Sequence, residues 1–154
     1  MGTEAAVSVP ILFLINGGCI MQRIAEKLKT YSIRPSAHRL AIYRYLDEKR
    51  NHPTAEMIYQ ALAPENPTLS RTTVYNTLKI FAEHAAVQEV IIEDGEMRYD
   101  ADITPHAHFK CKVCGCVHDF FFAPHKYLPA VDPGFKIDEI HVNFRGTCPE
   151  CQKK

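Results

Sequence analysis

Two short cysteine pairs, Cys111-x2-Cys114 and Cys148-x2-Cys151, constrain the folding of this 154-residue chain more than any other feature. Each CxxC pair forms a knuckle that offers two thiolates to one ion, at about 2.3 Å for zinc. Gly115 and Gly146 flank the pairs, where such turns need backbone freedom. Disulfide bonding is the competing reading of the same residues. Sequence-adjacent pairs make a poor disulfide framework, and no secretion signal accompanies them. Four thiolates close the shell around a tetrahedral ion and leave no position open for chemistry, so the site reads as structural zinc rather than catalytic zinc.

The rest of the composition bounds the class. With 46% hydrophobic and 23% charged residues, the chain has enough apolar mass for one medium domain or two small ones, and wholesale disorder is excluded. No run of 18 apolar residues exists, which excludes a helical membrane span. Eighteen basic residues balance eighteen acidic ones, so a uniformly basic nucleic-acid binder is excluded and a local one is not. Residues 21–60 carry eight basic groups against four acidic; residues 93–154 carry eight against ten. That asymmetry fits a binding module joined to a different module, although ordinary surface variation produces it as well.

The first twenty residues stand apart. Val7 to Ile15 is apolar, but Glu4 precedes it and no Lys or Arg does, so the positive leader of a secretory signal is missing. Gly17-Gly18 can be encoded with a GGAGG core a few bases before the Met21 codon, where a bacterial ribosome-binding site belongs. Residues 1–20 are therefore expected to be a non-native or disordered extension, with Met21 as the start and the cytoplasm as the location.

The front half, 21–102, reads as a winged helix. Ile24, Ala25 and Leu28 mark a short amphipathic helix. Arg34-Pro35-Ser36 is a stop followed by a helix start with Ser36 as N-cap, and Leu40, Tyr43 and Leu46 form a stripe on the helix that follows. Pro53-Thr54 starts a third helix, with Met57, Ile58, Ala61 and Leu62 expected to face inward and Pro64 and Pro67 to end it. Ser70 caps a fourth, whose buried face is expected to be Val74, Leu78, Phe81 and Ala85. Its other face carries Arg71, Tyr75 and Lys79, with Thr73 and Asn76 alongside. Such a face suits the major groove: Arg and Lys reach phosphate or guanine, Asn pairs with adenine, and a ring presses on a thymine methyl. Val87–Ile92 and Glu96–Asp100 then flank the hairpin signal Asp94-Gly95. Helices, a reading helix and a two-stranded wing follow the winged helix-turn-helix order; a small helical domain with a polar surface is the alternative.

The back half carries metal-ligand types. Ala107–Val113 and Cys116–Phe122 read as strands around the first knuckle, and Phe135–Arg145 as a strand leading to the second. With a period of two, His106 and His108 share a face. Val117, Asp119 and Phe121 share one face of the next strand, and His118, Phe120 and Phe122 the other. Asp100 ends the wing at the junction of the halves, and His52 stands just before the third helix.

Together these motifs resemble the ferric uptake regulator (Fur) superfamily over roughly residues 22–154. The matching stretches are Arg34-Pro35-x-x-x-Arg39, His52-Pro53-Thr54-Ala55, Ser70-x-Thr72-Thr73-Val74-Tyr75, Arg98-Tyr99-Asp100, His106-x-His108, Cys111-x2-Cys114-Gly115, Asp119 and Gly146-x-Cys148-x2-Cys151. The chain looks most like the peroxide regulator (PerR) branch, because Asp119 stands where iron sensors usually place Glu, and Asn76 where they often have Arg. The resemblance implies an α+β fold: an N-terminal winged helix-turn-helix DNA-binding domain, then an α/β metal-binding dimerisation domain over 103–154 with the four-cysteine zinc site.

It further implies a second, regulatory ion, Fe(II) or Mn(II), held by His52, Asp100, His106, His108 and Asp119. Three imidazoles and two carboxylates suit those ions, with the soft thiolates kept apart. In the resembled branch, hydrogen peroxide meeting Fe(II) leads to oxidation of ligand histidines, here His52 and His106, whereas Mn(II) gives a peroxide-insensitive repressor. The expected DNA contacts are Lys29, Arg34, Arg39, Arg71, Thr73, Tyr75, Asn76 and Lys79, on a palindromic operator read by a homodimer. The expected function is thus a metal-dependent transcriptional repressor, not an enzyme, with no membrane partner and no small-molecule substrate other than peroxide. An iron-availability sensor of the same fold is the alternative. A metalloenzyme built on His106, His108 and Asp119, or a zinc-ribbon interaction module, leaves the reading helix or His52 and Asp100 without a purpose. The chain also departs from the family pattern. Pro124 to Gly134 is short for the dimer-flanking helix, and Ile140 replaces a further iron-sensor His, with His141 expected to face away. His118, His125 and Cys116 have no assigned role.

Overall fold

Three hydroxyl side chains set the helical frame. Ser36, Thr54 and Ser70 each sit in extended backbone and accept the N–H three residues on, from Arg39, Met57 and Thr73. Each satisfies one of the donors that a helix start leaves unpaired. In the computed structural model, which describes residues 12–93, 95–121, 134–137 and 140–153, they open α2 (Ala37–Lys49), α3 (Ala55–Leu62) and α4 (Arg71–Glu83). Before them runs α1 (Leu12–Thr30), and the expected short helix around Ile24 is its last part. A 3₁₀ turn, Ala63–Glu65, follows α3.

One apolar core joins these helices: Ile24 and Leu28 of α1, Ile42, Tyr43 and Leu46 of α2, Ile58 of α3, and Val74, Leu78 and Phe81 of α4. Tyr43 and Phe81 meet edge to face, 5.6 Å between centroids. The inward face of α3 is Ala55, Ile58 and Leu62, so Met57 and Ala61, expected inside, point outward. Steps of three and four starting from Ala55 pass them by. Ala85 is likewise exposed: α4 stops at Glu83, Ala85 turns into the left-handed region at φ 52°, and Ala86 is buried instead. The Ala86 N–H closes that turn on Phe81 O.

The wing is the antiparallel pair β1 (Gln88–Glu93) and β2 (Glu96–Asp100), with Gly95 at φ 82° in its turn, a conformation that disfavours any residue with a β-carbon. A second sheet has the order β4-β3-β5. β3 (Ala107–Cys111) lies antiparallel to β4 (Val117–Phe120) and parallel to β5 (Asn143–Gly146). A short α5 (Pro149–Gln152) ends the described chain. The long strand expected over Phe135–Arg145 reduces to β5: 134–137 and 140–142 are not strand, and Phe135, Ile137 and Ile140 are exposed. Ladder pairing with β3 begins at Asn143, preceded by the hydrogen bond from His108 N to Val142 O. The expected strand Cys116–Phe122 is likewise shorter, spanning Val117–Phe120. The expected dimer-flanking helix near Pro124 and the side chain of His125 lie outside the described residues. Among the described residues no helix is long and apolar enough to cross a membrane.

The faces of the second sheet differ. His106, His108 and Lys110 alternate with Ala107, Phe109 and Cys111, and His108 stands opposite Asp119. The polar face therefore turns to the wing, where Asn143 Nδ2 donates to Ile91 O at 3.1 Å. The other face gathers Phe109, Phe120 and Phe144, the last two about half exposed.

Candidate metal centres and nucleic-acid interface

The two knuckles meet. One sulfur from each of Cys111, Cys114, Cys148 and Cys151 lies within 4.8 Å of the other three. All six cysteines are free thiols, so the disulfide reading falls. Gly115, at φ 74°, takes the left-handed step that folds the first knuckle back, and its N–H donates to Cys111 O. The N–H groups of Cys148 and Val113 point at Cys111 Sγ from 3.3 and 3.4 Å. Backbone hydrogen bonds from Cys114, Cys148 and Val113 outweigh burial and draw the Cys111 thiol pKa down to about 6. Cys151 is pushed up to about 12, first by its contact with the Cys148 sulfur. Cys111 is thus held toward the thiolate form and Cys151 toward the thiol, so a cation binding here must displace the Cys151 proton.

The second cluster forms where the halves touch. His52 enters from the loop after α2, Asp100 from the end of β2, His106 from the residue just before β3, His108 from β3 itself, and Asp119 from β4. One ligand atom from each lies within 4.8 Å of all the others. His52 Nε2 is 2.8 Å from Asp119 Oδ1 and 3.4 Å from Asp100 Oδ2; His106 Nε2 is 3.0 Å and His108 Nε2 3.7 Å from Asp100 Oδ2. The three histidines and Asp100 are buried. Yet Nε2 of all three imidazoles and Oδ1 of Asp119 make no aligned hydrogen bond. Buried polar atoms are normally satisfied, so converging orphans of this kind mark a place for a ligand, and nitrogen with carboxylate oxygen is a donor set for a divalent transition metal.

Neighbouring groups aim these side chains. His106 Nδ1 lies 2.7 Å from Thr104 O, an acceptor, so Nδ1 donates there and the ring is oriented with Nε2 toward the cluster. Asp100 Oδ1 accepts the Asp102 N–H, and Oδ2 accepts from Gln88. Burial alone would raise the Asp100 pKa; the imidazoles of His108 and His52 and the Asp102 N–H reverse it and hold the carboxyl well below the usual carboxylate range. His52 itself has φ 47°, left-handed backbone that costs a residue with a β-carbon about 1–2 kcal/mol. The segment is held there by β2: Tyr99 N donates to Pro53 O, Thr54 bridges Arg98, and Arg98 Nη1 donates to His52 O at 3.0 Å. Thr54 then caps α3, which packs on α4. A continuous path therefore runs from the cluster to the reading helix. Sequence patterning missed Gln88, Thr104 and Arg98 in these supporting roles. Arg98 falls inside a matched motif, but backbone acceptors such as His52 O leave no trace in a sequence.

Arg34, Arg39, Thr73 and Asn76 line one cleft of about 530 Å³ between the start of α2 and α4. Arg39 Nη1 donates to Arg34 O, which fixes its direction. Tyr75, Asn76 and Lys79 are exposed on α4, with Lys79 only 3.9 Å from Glu83. Arg71 does not stand free: it donates two hydrogen bonds, both 2.9 Å, to Glu56 of α3 and lies over the Tyr59 ring. Lys29 is on α1, paired with Glu26 at 2.8 Å. His118 and Cys116 are exposed, and His141 is exposed beside Ile140.

The model of the ferric uptake regulator family matches residues 30–144. The peroxide operon regulator of Bacillus subtilis (strain 168) is 36% identical over 137 residues, spanning 87% of this chain and 94% of that protein. The peroxide-responsive repressor PerR of Staphylococcus aureus (strain Mu50) is 35% identical over 87% and 93%. Among solved structures, the iron-bound ferric uptake regulator of Francisella tularensis superposes with a TM-score of 0.66 at 18% identity, covering 78% of this chain and 95% of that one. A zinc-bound manganese uptake regulator gives 0.64 at 24%, covering 81% and 98%. At such identities these two speak for the shared fold, α+β with a winged helix-turn-helix. Taken with the matched model and the peroxide-regulator relatives, they place the chain in the ferric uptake regulator family.

Proposed function

We propose that this protein is a metal-dependent DNA-binding transcriptional repressor that senses hydrogen peroxide in the cytoplasm. The observation that carries the reading is the convergence of His52, Asp100, His106, His108 and Asp119 from both halves of the chain onto one buried centre. In this reading 21–102 is the DNA-binding domain and 103–154 the metal-binding dimerisation domain. Cys111, Cys114, Cys148 and Cys151 hold zinc, which supplies folding energy to the second domain. The five-residue centre holds Fe(II) or Mn(II). Any ion preferring all five ligands selects the conformer in which the halves meet at this angle, and by linkage that conformer gains the binding energy.

Fe(II) held by His52, Asp100, His106, His108 and Asp119 would supply one-electron chemistry toward peroxide; in net terms one peroxide oxygen would go to a carbon of an adjacent imidazole and the other would leave as water. His52 and His106 are the rings expected to be modified. An oxidised ring no longer offers the same nitrogen, the link between the halves weakens, and the operator is released. Mn(II), a poor one-electron reductant, leaves the rings intact. The apolar sheet face with Phe120 and Phe144 about half exposed supports assembly as a homodimer, in which the angle of each half sets the spacing of two reading helices on a palindromic operator. The DNA-facing set is Lys29, Arg34, Arg39, Arg71, Thr73, Tyr75, Asn76 and Lys79.

Peptide mass after exposure to Fe(II) and peroxide tests the sensing step. About +16 Da on peptides carrying His52 or His106, absent with Mn(II), is the expected result. Unmodified peptides together with release of DNA simply on iron removal would instead identify an iron-availability sensor. For the interface, Lys79→Ala is expected to weaken binding to all duplexes alike and to lower the slope of log K against log salt by about one. Filter binding across a salt series measures it, and an unchanged slope would remove Lys79 from the phosphate contacts.

A further inference from the structure

A set of charged contacts leads out of the five-residue centre and returns to it without passing through any of the five metal-facing atoms. It starts at the backbone of His52, whose carbonyl accepts from Arg98 Nη1 at 3.0 Å. The same guanidinium donates through Nη2 to Glu96 Oε2 at 2.8 Å. That Glu96 oxygen is 4.0 Å from Lys110 Nζ. Lys110 is two residues past His108 on β3 and on the same face. One metal-facing histidine is thus joined to another through Arg98, Glu96 and Lys110. The side chains of Arg98 and Lys110 are each only 11% exposed, whereas Glu96 between them is 43% exposed, so the buried hydrogen bond from Arg98 to the His52 carbonyl carries more of the positioning than the ion pairs do. Only a guanidinium fits the first position, because it must reach a carbonyl and a carboxylate at once from one rigid plane.

We propose that Arg98 is a positioning residue for the regulatory metal centre. It holds the His52 carbonyl while His52 sits in left-handed backbone. Through Glu96 and Lys110 it also keeps the wing against the second sheet. The five ligand atoms are therefore gathered before an ion arrives. The inference rests on the metal reading above. It assigns Arg98 no contact with the ion and none with DNA.

Titration of the zinc-loaded full chain with Mn(II), following free Mn(II) by electron paramagnetic resonance, tests it. Arg98→Met is expected to weaken Mn(II) binding by about 10- to 100-fold, the range seen when groups behind metal ligands are removed. Arg98→Lys, which keeps the charge but reaches one acceptor only, is expected to fall between Arg98→Met and the wild type. In the metal-free protein, the Tyr99 amide that donates to Pro53 O is expected to exchange hydrogen faster in Arg98→Met, a readout independent of any ion. Glu96→Gln is expected to weaken Mn(II) binding in the wild type and to add little on top of Arg98→Met. Should Arg98→Met lose its zinc or fail to fold, Arg98→Lys and Glu96→Gln carry the same expectation on their own. Mn(II) affinity within twofold of wild type in folded Arg98 variants would overturn the inference and leave the metal reading standing. No Mn(II) uptake by the wild type would overturn both.

Discussion

His52→Ala abolishes metal-dependent operator binding while leaving both halves folded; that is the largest functional effect expected of any single substitution here. His52 is the one imidazole of the centre contributed by the loop after α2, whereas His106, His108 and Asp119 lie on the second sheet. Without it, an ion held by the remaining ligands has little to grip in the front half except Asp100 at the hinge. Loss of a direct ligand exceeds the 10- to 100-fold cost of disturbing a group behind one, so Mn(II) affinity is expected to fall by about 100-fold or more. That is about 2.7 kcal/mol, enough to move a two-state equilibrium from mostly closed to mostly open. Asp119→Ala is expected to do the same from the opposite side. Circular dichroism and zinc content should stay at wild-type values in both. Unfolding of either variant would mean that the five residues form a structural cluster and not a regulatory one.

Cys111→Ser is expected to have a different and equally large outcome: loss of structure in the second sheet and α5, together with loss of the zinc proposed for the four thiolates. Cys111 is buried, and its sulfur receives N–H groups from both knuckles. Structural zinc contributes about 10–16 kcal/mol in small zinc-dependent folds, more than a three-stranded sheet with one exposed apolar face supplies for itself. The helical core from Ile24 to Phe81 does not involve this region and is expected to survive. The measurable signature is loss of strand signal with helix signal retained, together with less than one zinc per chain. A folded Cys111→Ser protein with full zinc would contradict a structural four-thiolate site.

The two clusters were legible in the sequence in different ways. The cysteines are adjacent in pairs, so spacing alone brings each pair to a knuckle, and only the meeting of the knuckles is left to the fold. The five residues of the other cluster are spread from His52 to Asp119, and nothing local draws them together. Strand periodicity put His106 and His108 on one face, and the structure adds that Asp119 stands opposite His108. The grouping of all five came from the family resemblance. Local rules also served the three helix caps and the wing, where Ser36, Ser70 and Gly95 act through their immediate neighbours.

Tertiary context is where local reading failed. Met57 and Ala61 have helical spacing with Ile58 and Leu62 but sit on the far side of a short helix whose phase is set by Ala55. Ala85 was continued past a helix end that a left-handed turn closes without glycine. The segment around Phe135 has β-forming residues, but among the described residues the ladder with β3 starts at Asn143. Arg71, expected among the DNA contacts, is exposed and also bonded to Glu56 fifteen positions earlier, a contact visible only once α3 and α4 pack. The supporting groups Thr104 and Arg98 act through backbone carbonyls, which every residue has and no sequence distinguishes.

The most direct test of the central claim is anomalous diffraction from crystals of the zinc-loaded protein grown with Mn(II), with data collected at the Mn absorption edge. One manganese peak is expected, bounded by Nε2 of His52, His106 and His108 and by carboxylate oxygens of Asp100 and Asp119, and separate from zinc at the four sulfurs. A manganese peak bound by residues of one half alone, or none at the five-residue centre, would contradict the claim that a single cation joins the DNA-reading half to the second sheet.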